Sequence, residues 1–170
     1  MGAVGEQLLC AYTLVTSGGE VEPFRPSVDD DHVDIGVRPR AGFGALWIQV
    51  KTSMKPDRKR RIFARAAFPA GAVYEDPAFV YAILLVEATS IVRCWLVPSA
   101  EFNRGAWRGP LGSRRVQLVM TAYLDRPDAW SGFLVPPLEV GARLRELLVG
   151  SGPTPSAASP ALIGRVALWP

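Results

Sequence analysis

Two stretches between residues 32 and 53 alternate apolar and polar side chains around a glycine-containing turn, and no other feature constrains the fold as strongly. In the first, Val33, Ile35 and Val37 fall on one face and His32, Asp34 and Gly36 on the other; in the second, Leu46, Ile48 and Val50 oppose Trp47, Gln49 and Lys51. Alternation with period two marks a half-buried strand, so the pair predicts a hairpin. If the hairpin is symmetric about Ala41 and Gly42, Asp34 comes opposite Gln49 and His32 opposite Lys51. A slip of two residues keeps these faces, whereas a slip of one would bury the polar set. A carboxylate, an amide and an ammonium are therefore expected on one surface. Directly opposed Cβ atoms lie about 5 Å apart, which suits joint capture of a metal ion or a phosphate.

The remaining segments supply helix and strand around the hairpin. Residues 1–17 place Val4, Leu8, Leu9, Ala11, Tyr12 and Val15 at spacings of three and four, an amphipathic-helix pattern that Ser17-Gly18-Gly19 closes. Glu6 lies in its early turns, where a carboxylate also interacts favourably with the positive helix end. A short strand over 21–25 ends at Pro26. The acidic run Asp29-Asp30-Asp31 then reads as solvated loop, or as the source of a further metal ligand beside Asp34. Beyond Ser53 the chain turns basic, with Lys55, Arg58, Lys59, Arg60, Arg61 and Arg65 against Asp57. Such a run is either a solvated surface or a grip on phosphates; its place directly after the strand carrying Lys51 favours the second.

Further strands are predicted over 62–68, 79–86, 91–97 and 116–123, the second a continuous apolar run suited to a buried central position. Residues 100–103 begin a short helix, and 104–115, rich in Gly and Arg, read as a surface loop. A turn is expected over 125–132 around Trp130, itself either core edge or stacking platform. Pro136-Pro137 introduces a helix over 138–149. Residues 151–160 have linker composition, and 161–169 become apolar again, expected to dock on the domain or on a second copy in a homodimer.

The chain of 170 residues is long enough for one well-cored domain, expected over 1–150 with a tail over 151–170. A net charge of +3 is only a weak pointer to a polyanion. Cys10 and Cys94 lack metal-type spacing and read as free thiols in a reducing compartment. The single histidine argues against a structural zinc site and against Cys-His or Ser-His-Asp catalysis. No signal-like N-terminus is visible, and the longest apolar run, 78–86, is too short to span a bilayer. A cytoplasmic protein without membrane partners is expected.

Glu6 on an N-terminal helix, Asp34 on a strand and Gln49-Val50-Lys51 on the next strand together resemble the PD-(D/E)XK nuclease superfamily. The match covers about residues 5–53; Trp95-Leu96-Val97-Pro98-Ser99 is a weaker similarity to small prokaryotic members. Val33 stands where the pattern has proline, and Gln49 where it usually has an acid, although related proteins carry glutamine there. The resemblance implies an α/β, restriction-endonuclease-like fold, a mixed β-sheet flanked by helices. It also implies a Mg²⁺- or Mn²⁺-dependent DNA endonuclease. In that scheme Asp34 is the main metal ligand, Gln49 offers its amide oxygen, Val50 its carbonyl, and Glu6 completes the site directly or through water. Lys51 orients the attacking water, while Lys55, Arg58, Lys59, Arg60 and Arg61 hold DNA phosphates.

An amide in place of a carboxylate removes one charge beside the cation. Each unit charge pair at about 4 Å is worth roughly 4 kcal/mol at an effective dielectric of about 20, so weaker metal binding follows. Two functions therefore stand: a DNA-cutting enzyme, or a module of the same fold that binds nucleic acid or a protein partner without cutting.

Overall fold

A strand with no polar side must be covered on both faces, and residues 79–86 dictate such an arrangement. In the computed structural model of the chain, which describes residues 2–26 and 32–150, this strand is β5 (Phe79–Glu87), buried at every position but the last. It lies within a six-stranded sheet together with β1 (Val21–Phe24), β2 (Ile35–Pro39), β3 (Leu46–Ser53), β6 (Ser90–Pro98) and β9 (Leu134–Val135). The order is β1-β2-β3-β5-β6-β9; β3 and β5 run parallel and every other pair is antiparallel.

One face of this sheet packs against two helices, α1 (Gly2–Thr16) and α3 (Val140–Gly150). Val80, Ala82, Leu84 and Val86 of β5 join Leu46, Ile48 and Val50 of β3 there, under Leu9, Val140 and Leu144 from the helices. The opposite face, with Phe79, Tyr81, Ile83 and Leu85, is covered mainly by a second sheet rather than by helices. That sheet has the order β4 (Arg61–Pro69), β8 (Arg115–Tyr123), β7 (Trp107–Leu111), all antiparallel. The short helix α2 (Ser99–Gly105) completes the cover by stacking Phe102 on Tyr81, with ring centroids 4.0 Å apart.

The expected mixed sheet flanked by helices is thus corrected in one layer: the described residues form a mixed α/β fold of helices, sheet and second sheet. The reason lies in the patterning of β4 and β8. Ile62, Ala64, Ala66 and Phe68 alternate with more exposed residues, as do Val116, Leu118, Met120 and Ala122. Two such one-sided strands satisfy each other's backbones and bury one shared apolar face, which is how antiparallel sheets ordinarily sit on a core. β4 also lies in the crossover that the parallel β3–β5 pair requires, a position more often taken by a helix.

Residues 104–115, read as a loop, contain β7. The Gly109-Pro110 pair hides a strand from sequence reading, yet proline is tolerated where a strand lies at a sheet edge, as β7 does. Trp130 is 5% exposed and belongs to the core rather than to a stacking surface. Both described cysteines are free, and Cys94 is fully buried, its thiol pushed up to about 12 by that burial. Among the described residues no helix is long and apolar enough to cross a membrane. The acidic run 29–31 and the tail 151–170 lie outside the described residues.

The helix layer is fastened where α1 ends and α3 begins. Gly18 and Gly19, with φ of 62° and 79°, turn the chain out of α1, and the Gly19 N–H donates to the Leu14 carbonyl at 2.9 Å. The Thr16 hydroxyl then accepts the Gly141 N–H at 2.7 Å. A Cβ at Gly141 would lie 2.4 Å from the Ser17 nitrogen and 2.7 Å from the Thr13 carbonyl oxygen, so only glycine allows this approach. Gly141→Ala is expected to destabilise the fold by about 2 kcal/mol, the scale of core overpacking, seen as a lower urea midpoint. An unchanged midpoint would show that the helices do not meet this closely.

Candidate functional site

The hairpin predicted from alternation is present, and its register has the expected symmetry: Ile35 faces Ile48, Gly36 faces Trp47 and Val37 faces Leu46. Gly36 is required here, because a Cβ at that position would fall 2.3 Å from the Phe24 ring. The regular ladder then stops. Asp34 sits in a bend, its N–H donating to the Ile48 carbonyl at 2.9 Å. Its carboxylate Oδ2 accepts the Val50 N–H at 2.7 Å. A side chain thus takes over a bond that a main-chain carbonyl would make in an unbroken ladder, and this anchors the Asp34 carboxylate against the middle of β3.

Gln49 and Lys51 flank that anchor point. Leu46, Ile48 and Val50 belong to the helix-side core, so the alternation of β3 turns Gln49 and Lys51 to the opposite face. Gln49 is buried, 5% exposed, and lies beside Tyr81 of β5. Lys51 is half-buried, and burial lowers its ammonium pKa from the ordinary 10.5, an effect opposed by the negative charge of Asp34. Asp34, the Val50 backbone and Lys51 are therefore brought together as the sequence suggested.

Glu6 is engaged elsewhere. The start of α1 lies directly on β3, where a Cβ at Gly5 would fall 1.9 Å from the Thr52 hydroxyl oxygen, on the helix-side face of the strand and so opposite Gln49 and Lys51. The Glu6 carboxylate pairs with the Arg25 guanidinium at 3.3 Å. Among the described residues no three His, Cys, Asp or Glu side chains converge as a metal cluster. The His32 ring lies against Phe68 with centroids 4.9 Å apart, a packing role.

The basic run divides into two kinds of residue. Asp57 organises the β3–β4 connection: its Oδ1 accepts the N–H groups of Lys59 and Arg61 at 2.9 and 2.8 Å, and its Oδ2 accepts Arg61 Nε and Nη2 at 2.9 and 2.8 Å. The Arg61 hydrogen bonds hold the Asp57 carboxyl below its usual range. Arg61 is thereby committed to the fold, while Lys55, Arg58, Lys59 and Arg60 are exposed. Arg60 adopts φ of 57°, the price of a tight turn made without glycine.

Sequence reasoning overlooked two polar atoms near this strand. The Tyr81 hydroxyl and the Thr52 hydroxyl are buried without a hydrogen-bond partner among the described residues. Burial raises the Tyr81 pKa, so its phenol stays protonated at neutral pH. The continuous apolar reading of 79–86 treated Tyr81 as one more core residue, and only the pairing of Gln49 with Tyr81 places it behind the site. The chain matches no protein-family model and no curated protein.

Two substitutions test this geometry independently of activity. Asp34→Ala leaves the Val50 N–H without its acceptor and is expected to cost about 1–3 kcal/mol in chemical denaturation, whereas Asp34→Asn retains an acceptor oxygen and is expected to cost less. Lys51 has a folded-state pKa below its unfolded one, so its charge destabilises the fold at neutral pH. That penalty is recovered as pH rises through the lowered pKa toward 10.5. Lys51→Met is therefore expected to melt at or above the wild-type temperature at pH 7, with the gap narrowing at alkaline pH. A Lys51→Met protein that melts well below wild type would show that the ammonium is stabilising where it sits.

Proposed function

We propose that the chain is a Mg²⁺-dependent DNA endonuclease of the PD-(D/E)XK type, with restriction-endonuclease-like architecture, acting at Asp34, Gln49, Val50 and Lys51. The observation that carries this reading is the Asp34 carboxylate fixed on the Val50 N–H at the broken end of the β2–β3 ladder, within electrostatic reach of a half-buried Lys51.

The donor set suits magnesium. The Asp34 carboxylate, the Gln49 amide and the Val50 carbonyl all offer oxygen, and Mg²⁺ needs only one or two carboxylates when waters and substrate phosphates fill the remaining positions. One accepted hydrogen bond leaves a carboxylate further lone pairs. A bound Mg²⁺ would supply neutralisation of the phosphoryl oxygens and acidification of a water. The Lys51 ammonium then positions the attacking water and offsets the charge that develops on the phosphoryl group. Water oxygen bonds to phosphorus as the bond to the leaving sugar oxygen breaks, and a proton passes to that oxygen. Lys55, Arg58, Lys59 and Arg60 hold flanking phosphates, as exposed cations do along a duplex. In this scheme Glu6 contributes only if it exchanges Arg25 for the metal or a bound water.

Purified protein with Mg²⁺ or Mn²⁺ is expected to cut single-stranded, duplex or branched DNA, and Asp34→Asn and Lys51→Met are expected to abolish cutting while remaining folded. Inertness on all three substrates with both metals would defeat the catalytic reading. A second reading, a nucleic-acid-binding or assembly module that does not cut, draws on the lack of a three-residue acidic cluster among the described residues. Gln49→Glu separates the two. A gain of metal affinity or cleavage is expected from a site built for a cation, and no response favours the module. In either case neutralising Arg58, Lys59 and Arg60 together should weaken DNA binding and flatten its salt dependence by up to about three units of log-log slope.

A further inference from the structure

The second sheet has an outward face that neither the core nor the proposed nuclease site uses. Its three strands, β4, β7 and β8, contain no acidic residue, and Arg61, Arg65 and Arg115 alternate to the outer face, whereas Arg108, opposite the buried Leu118, does not. Alternation turns Phe63, Arg65, Val119 and Trp107 outward, since Ile62, Ala64, Leu118 and Met120 are buried beneath. The register aligns three of them in one row across the sheet: Arg65 beside Val119, and Val119 beside Trp107.

Trp107 is 62% exposed, an unusual position for the largest apolar side chain. Its ring packs on Gly109, where a Cβ would fall 2.0 Å from the nearest ring carbon. The ring thus closes over the Gly109 backbone while most of its surface stays exposed. On the far strand the Arg61 guanidinium sits over the Phe63 ring, 5.1 Å from its centroid. Arg61 leads back to the exposed basic turn at 58–60, and although its own charge is paired with Asp57, Arg65 on the same strand and Arg58, Lys59 and Arg60 in the turn are exposed cations. A partner complementary to this face must carry negative charge at intervals and flat apolar groups between the charges. A second protein's apolar surface meets only the latter requirement, and a duplex keeps its flat faces stacked inside.

We propose that this face binds single-stranded nucleic acid, with a base stacked on Trp107 and backbone phosphates on Arg65 and the basic turn. The inference shares the basic turn with the nuclease reading but uses none of the residues at Asp34, Gln49 or Lys51, so it stands or falls on Trp107 and Arg65. Adjacent strands are about 4.8 Å apart, so Trp107 and Arg65 lie about 10 Å apart across Val119, room for a base and its phosphate side by side.

The test is fluorescence anisotropy of labelled oligothymidylate and oligouridylate of about twelve nucleotides, within the usual site sizes for such surfaces, in EDTA so that cleavage plays no part. Wild type is expected to bind at least one of the two strands, and to bind duplex DNA of the same length less well. The stronger of the two strands tells DNA from RNA. Trp107→Leu keeps an apolar cover on Gly109 but offers no aromatic face, and is expected to weaken binding about tenfold or more, with an unchanged melting temperature. Trp107→Phe should restore most of the loss, and Arg65→Glu should weaken binding and its salt dependence. No binding of either strand, Trp107→Leu binding as tightly as wild type, or a duplex bound as well as a single strand would overturn the proposal. So would a concentration-dependent rise in mass by light scattering that Trp107→Leu removes, since the face would then join two copies.

Discussion

Everything in this structure depends on covering β5 from both sides. Eight consecutive buried positions leave no edge of that strand polar, so the chain must bring one layer to each face. The helix layer comes from the two ends of the described chain and the sheet layer from its middle, which explains why elements far apart in sequence meet around one strand. The parallel pairing of β3 with β5 follows from the same demand, because the connection between them has to cross the sheet and is itself used as cover. The face chosen by each residue of β3 is then fixed: Leu46, Ile48 and Val50 go to the helices, and Gln49 and Lys51 go to the side that the second sheet covers only in part.

The candidate site arises where that cover ends. Lys51 is desolvated enough to feel burial yet close enough to Asp34 to be partly compensated. The Asp34–Val50 bond has a similar double character. It completes the hydrogen bonding of a strand whose neighbour has bent away, and in doing so it holds a carboxylate at a defined place on a polar face. Asp57 performs a comparable service one turn later, fixing the shape of the basic loop while its own charge is spent on Arg61.

Much of this was legible in the sequence because it is governed by local periodicity. The alternation on either side of residues 41 and 42 set the register of β2 against β3, and Ile35 does face Ile48. The unbroken apolar run marked β5 as central, and Gly18-Gly19 marked the end of α1. What was not legible depends on partners distant in the chain. β4 and β8 showed clean alternation, but nothing local says that they pair with each other rather than joining the main sheet. β7 was concealed by Gly109 and Pro110, residues that an edge position and the covering Trp107 ring accommodate. At the site, the bend at Asp34 and the Glu6–Arg25 pair are tertiary events with no spacing signature. The register that brings Asp34 to the middle of β3 could be anticipated; the bend that turns Val33 to the face opposite Ile35 and Val37, and the direction in which Glu6 points, could not.

The contact between Gly141 and the end of α1 also has a consequence for how the protein comes into being. α1 is the first element to be synthesised, yet Leu8, Cys10 and Tyr12 are packed in the same cluster as Val140 and Leu144, which are translated last among the described elements. During synthesis α1 therefore lacks its α3 partner until the strands between them have been made. Contacts of such sequence separation slow folding and leave early segments open to wrong partners. The glycine that lets α3 seat so closely on α1 thus sits at a contact of long sequence separation, joining elements from either end of the described residues.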